Sequence, residues 1–240
     1  ILGVYDLYER LTSRFPEVLF ESCASGGGRF DPGMLYYAPQ CWTSDDSDAA
    51  ERIKIQYGTS YCYPVSSMGA HVSVTPNHQV NRNTPLHTRA NVAYFGTFGY
   101  ELDLNVLTGE ELEEVKAQTA FMKEYRNLFQ FGTFYRLQSP FENPISAWMV
   151  VSADQKEAVV GWYRMLNGVN LPCTRLRLQG VDPDKKYTVK GDPFEHYGDE
   201  LMNCGLVTTD ISSGQAEGEE KLSQDFDSRL YILKAEDVPA

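Results

Sequence analysis

The sequence is short of positive charge. Its 21 Lys and Arg residues are outnumbered by 33 Asp and Glu residues, which gives a formal net charge of −12. Proteins that bind nucleic acids or anionic lipids need basic residues to neutralise phosphates, so this balance argues against both partners. The sequence also lacks any apolar run near the roughly 20 residues of a membrane-spanning helix, so we expect no membrane partner.

Cysteine is scarce, and its spacing argues against two kinds of site. The five cysteines are Cys23, Cys41, Cys62, Cys173 and Cys204. No two of them have the CxxC spacing of a structural zinc site or a redox motif, so we expect no bound metal. An odd number of widely spaced cysteines is typical of reduced thiols, which indicates a cytoplasmic protein.

An initiating Met and a signal-peptide pattern are also missing, because the chain opens on Ile1-Leu2-Gly3-Val4. We therefore expect the chain to be part of a longer polypeptide. Its 240 residues can hold one large domain or two modest ones. A hydrophobic content of 42% and a charged content of 22% are typical of a globular protein.

The first half of the chain alternates helical and strand patterns. A helical stripe predicts a first helix that Pro16 ends, and a capping box at Thr108 and Glu111 predicts a long helix that ends at Gly132. Between them the sequence predicts a helix over 48–57 and strands at 18–20, 36–42, 65–74 and 92–104. Repeated βα units build either a doubly wound sheet or a (β/α)₈ barrel.

Beyond Gly132 the pattern changes to short apolar runs separated by turns. No helical stripe is present there, so this part predicts a separate antiparallel β domain. The polar, acidic stretch at 212–225 predicts an exposed loop. The apolar runs are at 147–151, 158–163, 176–178, 187–189 and 230–233.

A glycine-rich stretch, SGGGRFDPG at residues 25–33, follows the strand predicted at 18–20. It lacks both the GxGxxG pattern and the terminal Lys of a phosphate-binding loop, so a nucleotide site is a weak interpretation. Three successive glycines let a backbone approach a ligand closely and leave amides free to point at it. The alternative is a long flexible turn.

Three carboxylates, Asp45, Asp46 and Asp48, follow the second predicted strand. Carboxylates this close repel one another, and a raised pKa would suit one of them to act as a general acid. Local spacing alone favours the other interpretation, in which they cap the helix that follows. A metal site is a third interpretation, but no His lies nearby.

Taken together, several ordered blocks resemble the α-galactosidases of glycoside hydrolase family 36. The resemblance covers essentially the whole chain and includes the closing β domain. The blocks are FESCASGGGRFD at 20–31, WTSDDSDAAER at 42–52, GAHVS at 69–73, PNHQ at 76–79 and FGTFGYE at 95–101.

The resemblance implies an α/β plus all-β fold. Residues 1–131 would form the C-terminal half of a (β/α)₈ TIM barrel, and residues 132–240 an antiparallel β-sandwich domain. The last four barrel strands would lie at 18–23, 38–44, 66–73 and 91–102. Members of the family often form homo-oligomers, so we expect one in the full-length protein.

The resemblance also implies a retaining α-galactosidase that needs no cofactor and hydrolyses terminal galactose from oligosaccharides such as melibiose and raffinose. Asp45 matches the family's acid/base residue, which protonates the leaving oxygen and later deprotonates water. Cys23, Ala24, Ser25 and Gly26 match the stretch that lines the galactose subsite. Asp46 and Asp48 would raise the pKa of Asp45 and cap the following helix.

One part of the family pattern is absent from the chain. The nucleophilic aspartate of the family lies in a Lys-x-Asp motif upstream of these blocks, and the early acids Asp6 and Glu9 lie on the first helical stripe. We therefore expect the chain alone to be inactive. Two alternatives stay open, namely a non-catalytic carbohydrate-binding fragment and an α-N-acetylgalactosaminidase of the same fold.

Three further side chains have weaker claims. His71 and His78 fall in the family blocks, and a structural role for His71 is favoured over a place in the pocket. Trp42 is expected in the core or in the pocket wall.

Overall fold

The computed structural model describes residues 1–168, 174–208 and 225–235. Its helices are α1 (Leu2–Arg14), α2 (Pro32–Tyr37), α3 (Ala49–Thr59), α4 (Leu86–Ala93), α5 (Gly109–Phe131) and α6 (Gly198–Asn203). Its strands are β1 (Glu21–Ser22), β2 (Gln40–Cys41), β3 (Gly69–Ser73), β4 (Thr97–Glu101), β5 (Thr133–Gln138), β6 (Ile145–Val151), β7 (Glu157–Arg164), β8 (Arg175–Leu176), β9 (Lys186–Val189), β10 (Glu195–Tyr197), β11 (Leu206–Val207) and β12 (Asp227–Ala235).

The first four strands run parallel and follow one another in space. β1 pairs with β2 and β3 pairs with β4, while a parallel bridge between Cys41 and Met68 joins the two pairs. The helices α2, α3 and α4 lie between successive strands in the sequence. Parallel strands place their C-terminal ends at one edge, where barrel enzymes carry their chemistry. These are the βα units of half a barrel.

The strand predicted at 18–20 was wrong, and the strand predicted at 92–104 began too early, because apolar runs occur in other elements too. Leu19, predicted in a buried strand, is 89% exposed and precedes β1, and the neighbouring Phe20 ring packs edge-on against Tyr8 at 5.8 Å. Residues 91–93 end α4 rather than begin β4, and Val92 and Ala93 are buried there. A fully buried helix and a buried strand have the same short apolar pattern.

The strand prediction for Tyr36 and Tyr37 was also wrong, since both residues end helix α2. The Asp31 side chain accepts a hydrogen bond from the Met34 amide at 2.8 Å, and Pro32 takes the first helical position. This cap and the preset backbone of Pro32 favour a helix over the β propensity of two tyrosines.

Helix α5 follows its sequence signals. The Thr108 hydroxyl accepts from the Glu111 amide at 3.2 Å, and the Glu111 carboxylate accepts from the Thr108 amide at 2.8 Å, which confirms the capping box. Met122, Tyr125 and Phe129 are buried on one face of the helix.

The β domain is built on one six-stranded antiparallel sheet in the order β10-β9-β12-β7-β6-β5. β8 and β11 pair antiparallel in a smaller sheet. The described residues therefore form the second half of a barrel followed by an antiparallel β-sandwich, as expected. The short helix α6 was missed because its six residues cannot show a helical stripe.

Each face of the six-stranded sheet contributes to a buried apolar core. On one face Trp148 and Tyr163 share a core with Phe95 and Phe129 of the barrel part. On the other face Trp162 packs with residues of β8, α6 and β11. Trp148 and Trp162 are 0% and 1% exposed, so both are core residues.

Two expectations bear on other parts of the chain. The loop predicted at 212–225 lies, except for Asp225, outside the described residues. Within the described ranges, no helix is both long enough and apolar enough to cross a membrane.

Gly132, at the joint between α5 and β5, offers a test of this packing. A Cβ there would lie 2.5 Å from the Leu128 carbonyl oxygen and 2.9 Å from that of Val151. Gly132→Ala should lower the free energy of unfolding by about 1–3 kcal/mol, because neither backbone can move away easily. Chemical denaturation of the full-length protein measures this change.

Gly58 in helix α3 supplies the matched control, since a Cβ there meets no atom within 4 Å. Gly58→Ala should raise the free energy of unfolding by about 0.5–1 kcal/mol through reduced chain entropy. Equal effects of the two substitutions would show that the α5–β5 joint is not tightly packed.

Candidate active site

The glycine-rich loop and the acidic segment, residues 42–48 with the three carboxylates, begin next to each other at the ends of β1 and β2. Ser22 of β1 is paired with Cys41 of β2, and the Trp42 amide donates to the Ser22 carbonyl at 3.0 Å. The loop that begins at Cys23 and the segment that begins at Trp42 therefore start side by side, at the C-terminal ends of two paired parallel strands.

Gly26 brings these two segments into contact. Its φ of +73° is a conformation that favours glycine, and a Cβ on it would lie 2.6 Å from Ser44 Cα and 2.9 Å from the Asp45 amide nitrogen. The turn is closed by a hydrogen bond from the Ala24 amide to the Gly26 carbonyl at 3.0 Å. The loop thus packs on the backbone of Asp45 rather than extending freely.

The predicted site residues differ in exposure. Cys23, Ser25 and Asp45 are exposed, Ala24 is half-buried and Gly26 is buried. Among the described residues, nothing forms a hydrogen bond or ion pair with the Asp45 carboxylate. This carboxylate is therefore open to a ligand.

The other two carboxylates of the cluster are engaged locally. Asp48 is 1% exposed, caps α3 by accepting from the Glu51 amide at 3.1 Å, and forms an ion pair with Arg82. Asp46 accepts from the Asp48 amide at 3.0 Å. The predicted helix cap is therefore confirmed for Asp48, while Asp46 holds the turn that precedes the helix.

Arg52 is a functional candidate that the sequence analysis missed. It is 2% exposed and donates to the carbonyls of Ser44, at 3.4 Å, and Gly69, while its guanidinium carbon lies 4.8 Å from the Trp42 ring centroid. Burial lowers the pKa of Arg52 to about 10, and the charge of Asp46 partly offsets this effect. Arg52 therefore stays a cation at neutral pH, and it contacts the acidic segment at the Ser44 carbonyl and the Trp42 ring.

His71 packs against the same tryptophan. Its ring is stacked on Trp42 with centroids 4.6 Å apart, and its Nδ1 lies 3.6 Å from the Glu101 carboxylate. A Cβ on Gly99 would meet the His71 ring at 2.9 Å, so the glycine makes room for it. His71 thus connects β3 and β4 and contacts the acidic segment through Trp42. His78, in contrast, is exposed.

Asn77 and Gln79 also contact the acidic segment from the loop between β3 and α4. The Asn77 side chain donates to the Ser47 hydroxyl at 3.2 Å, and the Gln79 side chain donates to the Asp45 carbonyl at 2.5 Å. The only sequence signal for these contacts is the PNHQ block itself. Separately, within the described part of the chain no cluster of three or more His, Cys, Asp or Glu side chains could hold a metal ion.

Comparison with known families divides the chain into two matches. Residues 1–132 match the family model described as Melibiase. Residues 145–233 match the model described as Glycosyl hydrolase family 36 C-terminal domain.

Individual proteins are similar over nearly the whole chain. Alpha-galactosidase AgaA of Geobacillus stearothermophilus is 53% identical over 98% of the chain, and alpha-galactosidase Mel36A of Lactobacillus acidophilus is 45% identical over 98%. The chain covers 31% of the first protein and 30% of the second. It therefore spans about a third of the length of these curated relatives.

Solved structures agree in fold as well as in sequence. The alpha-galactosidase of Lactobacillus brevis superposes with a TM-score of 0.93 at 54% identity, with 100% of this chain and 32% of that one covered. A variant of AgaA in complex with raffinose superposes with a TM-score of 0.90 at 52% identity, with 98% and 31% covered.

The two cysteines at the site should differ sharply in reactivity. Cys41 is 1% exposed and burial raises the pKa of its thiol to about 11, so about one molecule in a thousand carries the thiolate at pH 8. Cys23 is exposed. Iodoacetamide at pH 8 should label Cys23 in the folded full-length protein and leave Cys41 unlabelled, as peptide mass spectrometry would show.

The raised pKa of the Cys41 thiol also fixes the direction in which its labelling should change with pH. Labelling of Cys41 should increase as the pH rises toward 11 and should become rapid at pH 8 once guanidinium unfolds the protein. Equal labelling of Cys23 and Cys41 in the folded protein would contradict the burial of Cys41.

Proposed function

The chain belongs to the melibiase family, glycosyl hydrolase family 36, and on that basis we propose that the protein containing it is an α-galactosidase. The substrates are oligosaccharides with a terminal α-linked galactose, of the melibiose and raffinose type. The relatives named above are alpha-galactosidases, and one of them is solved with raffinose. Both support galactose rather than N-acetylgalactosamine as the sugar.

One observation carries this proposal, namely the contact between Gly26 and the backbone of Ser44 and Asp45. It places a loop rich in backbone amides next to an exposed carboxylate at the C-terminal ends of parallel strands. Sugar hydroxyls need such donors and acceptors, and glycosidic oxygens need a proton donor. In this proposal Cys23, Ala24, Ser25 and Gly26 line the galactose subsite.

Asp45 acts as the acid/base of a retaining mechanism. In the first step its carboxylic acid protonates the departing glycosidic oxygen while a second carboxylate attacks the anomeric carbon. In the second step the Asp45 carboxylate removes a proton from water as the water oxygen bonds to the anomeric carbon, and the bond from that carbon to the second carboxylate breaks, which releases the sugar. The exposed, unpartnered carboxylate of Asp45 suits a group that must gain and lose a proton in each cycle.

The second carboxylate must lie about 5 Å from Asp45. Asp6 on α1 is exposed and paired with Arg10, so it is a poor candidate. We assign the nucleophile to the part of the protein outside these 240 residues, since the chain covers 31% of its relative AgaA. The 240 residues then carry one of the two catalytic carboxylates.

Three wider properties belong to the same proposal. The catalytic half-barrel comprises residues 1–131 and the β domain residues 132–240, the full-length protein is a homo-oligomer, and it works in the cytoplasm. The free thiols of Cys23, Cys41, Cys62 and Cys204 support a reducing compartment.

Substitution of Asp45 tests the proposed role in the full-length protein. Asp45→Ala should lower kcat/KM for raffinose by about 10²–10⁴-fold, because its leaving sugar needs a proton. An aryl galactoside with a good leaving group should form the glycosyl-enzyme with much less loss. Azide should accelerate the second step, since it needs no base. Steady-state and burst kinetics measure both steps.

Asp46→Ala is the matched control, because it removes a neighbouring carboxylate whose contact is with the Asp48 amide. Loss of that contact should cost about 1 kcal/mol of folding stability, and kcat/KM for raffinose should fall far less than in Asp45→Ala. A greater loss for Asp46→Ala than for Asp45→Ala would show that the wrong carboxylate was assigned.

The isolated 240-residue chain should not hydrolyse an aryl α-galactoside, because a retaining reaction needs both carboxylates. The assay uses purified chain, with the Asp45→Ala chain purified in parallel to control for host enzymes. Turnover by the unsubstituted chain alone would refute the assignment of the nucleophile to another part of the protein.

A further inference from the structure

We propose that Gln79 is a positioning residue that fixes the Asp45 carboxylate for proton transfer, an inference that rests on the acid/base role proposed for Asp45. Gln79 lies on the loop between β3 and α4, on a different βα unit from Asp45. It touches the backbone of the acidic segment and has no contact with the reacting atoms assigned above.

The Gln79 side chain holds two peptide groups at once. Its Nε2 donates to the Asp45 carbonyl at 2.5 Å, and its Oε1 accepts from the Ser47 amide at 2.9 Å. One planar amide therefore spans Asp46 and bonds the backbone on both sides of it. Two bonds from one rigid group restrict rotation of this backbone more than either bond alone.

Asn77 presents Gln79 in this position. The Asn77 Oδ1 accepts from the amides of Gln79, at 3.0 Å, and Val80, at 3.3 Å, while its Nδ2 donates to the Ser47 hydroxyl at 3.2 Å. Asn77 is 3% exposed, so these bonds are shielded from water. The turn that carries Gln79 is thus attached to the segment that Gln79 holds.

Strand β3 adds a third attachment to the same point. The Ser73 hydroxyl donates to the Ser47 carbonyl at 2.8 Å. Ser47 is 2% exposed and is bonded at its amide, its hydroxyl and its carbonyl by Gln79, Asn77 and Ser73. The residue two places after Asp45 is therefore held on every polar atom that it has.

Asp45 itself has much less support. Among the described residues, the Gln79 amide is the only side-chain group that forms a hydrogen bond with any atom of Asp45. Because its carboxylate is exposed and unpartnered, its direction depends on the backbone that carries it. A displacement of about 1 Å of a reacting group can cost about 100-fold in rate, so the hold on this backbone bears directly on proton transfer.

The position of Gln79 on the surface argues against a role in overall stability. The residue is exposed, and its described side-chain bonds both go to the acidic segment. Removal of an exposed side chain leaves no cavity in the core. Its loss should therefore be felt at Asp45 before it is felt in the fold.

The experiment uses two substitutions in the full-length enzyme and two substrates. Gln79→Met removes both hydrogen bonds with a side chain of similar size. Gln79→Glu keeps the acceptor for the Ser47 amide but loses the donor to the Asp45 carbonyl. Both should lower kcat for raffinose by roughly 10–100-fold with KM within about threefold. Formation of the glycosyl-enzyme from an aryl galactoside with a good leaving group should fall by less than about fivefold, because that step needs little acid assistance.

Gln40→Met is the matched control. Gln40 lies on β2, and its side-chain amide donates to the Glu21 carboxylate at 2.6 Å without touching the acidic segment. It should leave both substrates within about twofold of the unsubstituted enzyme. Asp45→Ala is measured in the same series.

The outcomes separate the two proposals. Equal losses on both substrates, no loss on either, or failure of both Gln79 variants to fold would overturn the positioning role. If Asp45→Ala shows its selective loss on raffinose in those cases, the proposed function stands and only the inference about Gln79 fails. If Asp45→Ala hydrolyses raffinose normally, the acid/base assignment itself fails.

Discussion

The close approach of Gly26 to the backbone of Asp45 is the constraint on which the site depends. Two strand ends that leave a sheet in parallel would diverge if a side chain stood between them. Gly26 prevents this, because its positive φ turns the loop back and its missing Cβ lets the chain lie against Ser44. The glycine-rich loop is thereby held against the backbone from which the Asp45 side chain projects.

The charges around this contact are arranged so that one carboxylate stays available. Asp48 is buried against Arg82 and the first turn of α3, and Asp46 is engaged by the backbone of the turn. Arg52 is a buried cation that is held by hydrogen bonds to main-chain carbonyls rather than by an ion pair with Asp45. Three acids within four residues therefore have different surroundings, although their local sequence is alike.

Much of this arrangement could be predicted from the sequence, and what could not be predicted depended on contacts between distant residues. The capping box of α5 and the alternating runs of the β domain are local patterns, and both were predicted. Tyr36 and Tyr37 misled because the cap at Asp31 outweighed their strand propensity. The family resemblance identified Asp45 and the Cys23–Gly26 stretch as candidates. The contacts of Arg52 and Gln79 join separate βα units, and no local pattern reports such contacts.

The β domain contributes to the site through the helix that it supports. The Asn91 side chain of α4 donates to Ser228 of β12 at 2.9 Å, and the Tyr163 hydroxyl of β7 donates to the Asn91 carbonyl at 2.8 Å. Arg89 of the same helix is buried and donates to the carbonyls of Ser73 and Thr84. In the sequence these two residues lie on either side of Asn77 and Gln79, in the loop between β3 and α4. Because that loop bonds the backbone of Ser47 and of Asp45, a series of hydrogen bonds runs from the β sheet to the main chain that carries the carboxylate. A domain that contributes none of the proposed catalytic residues can in this way fix the geometry of one that does.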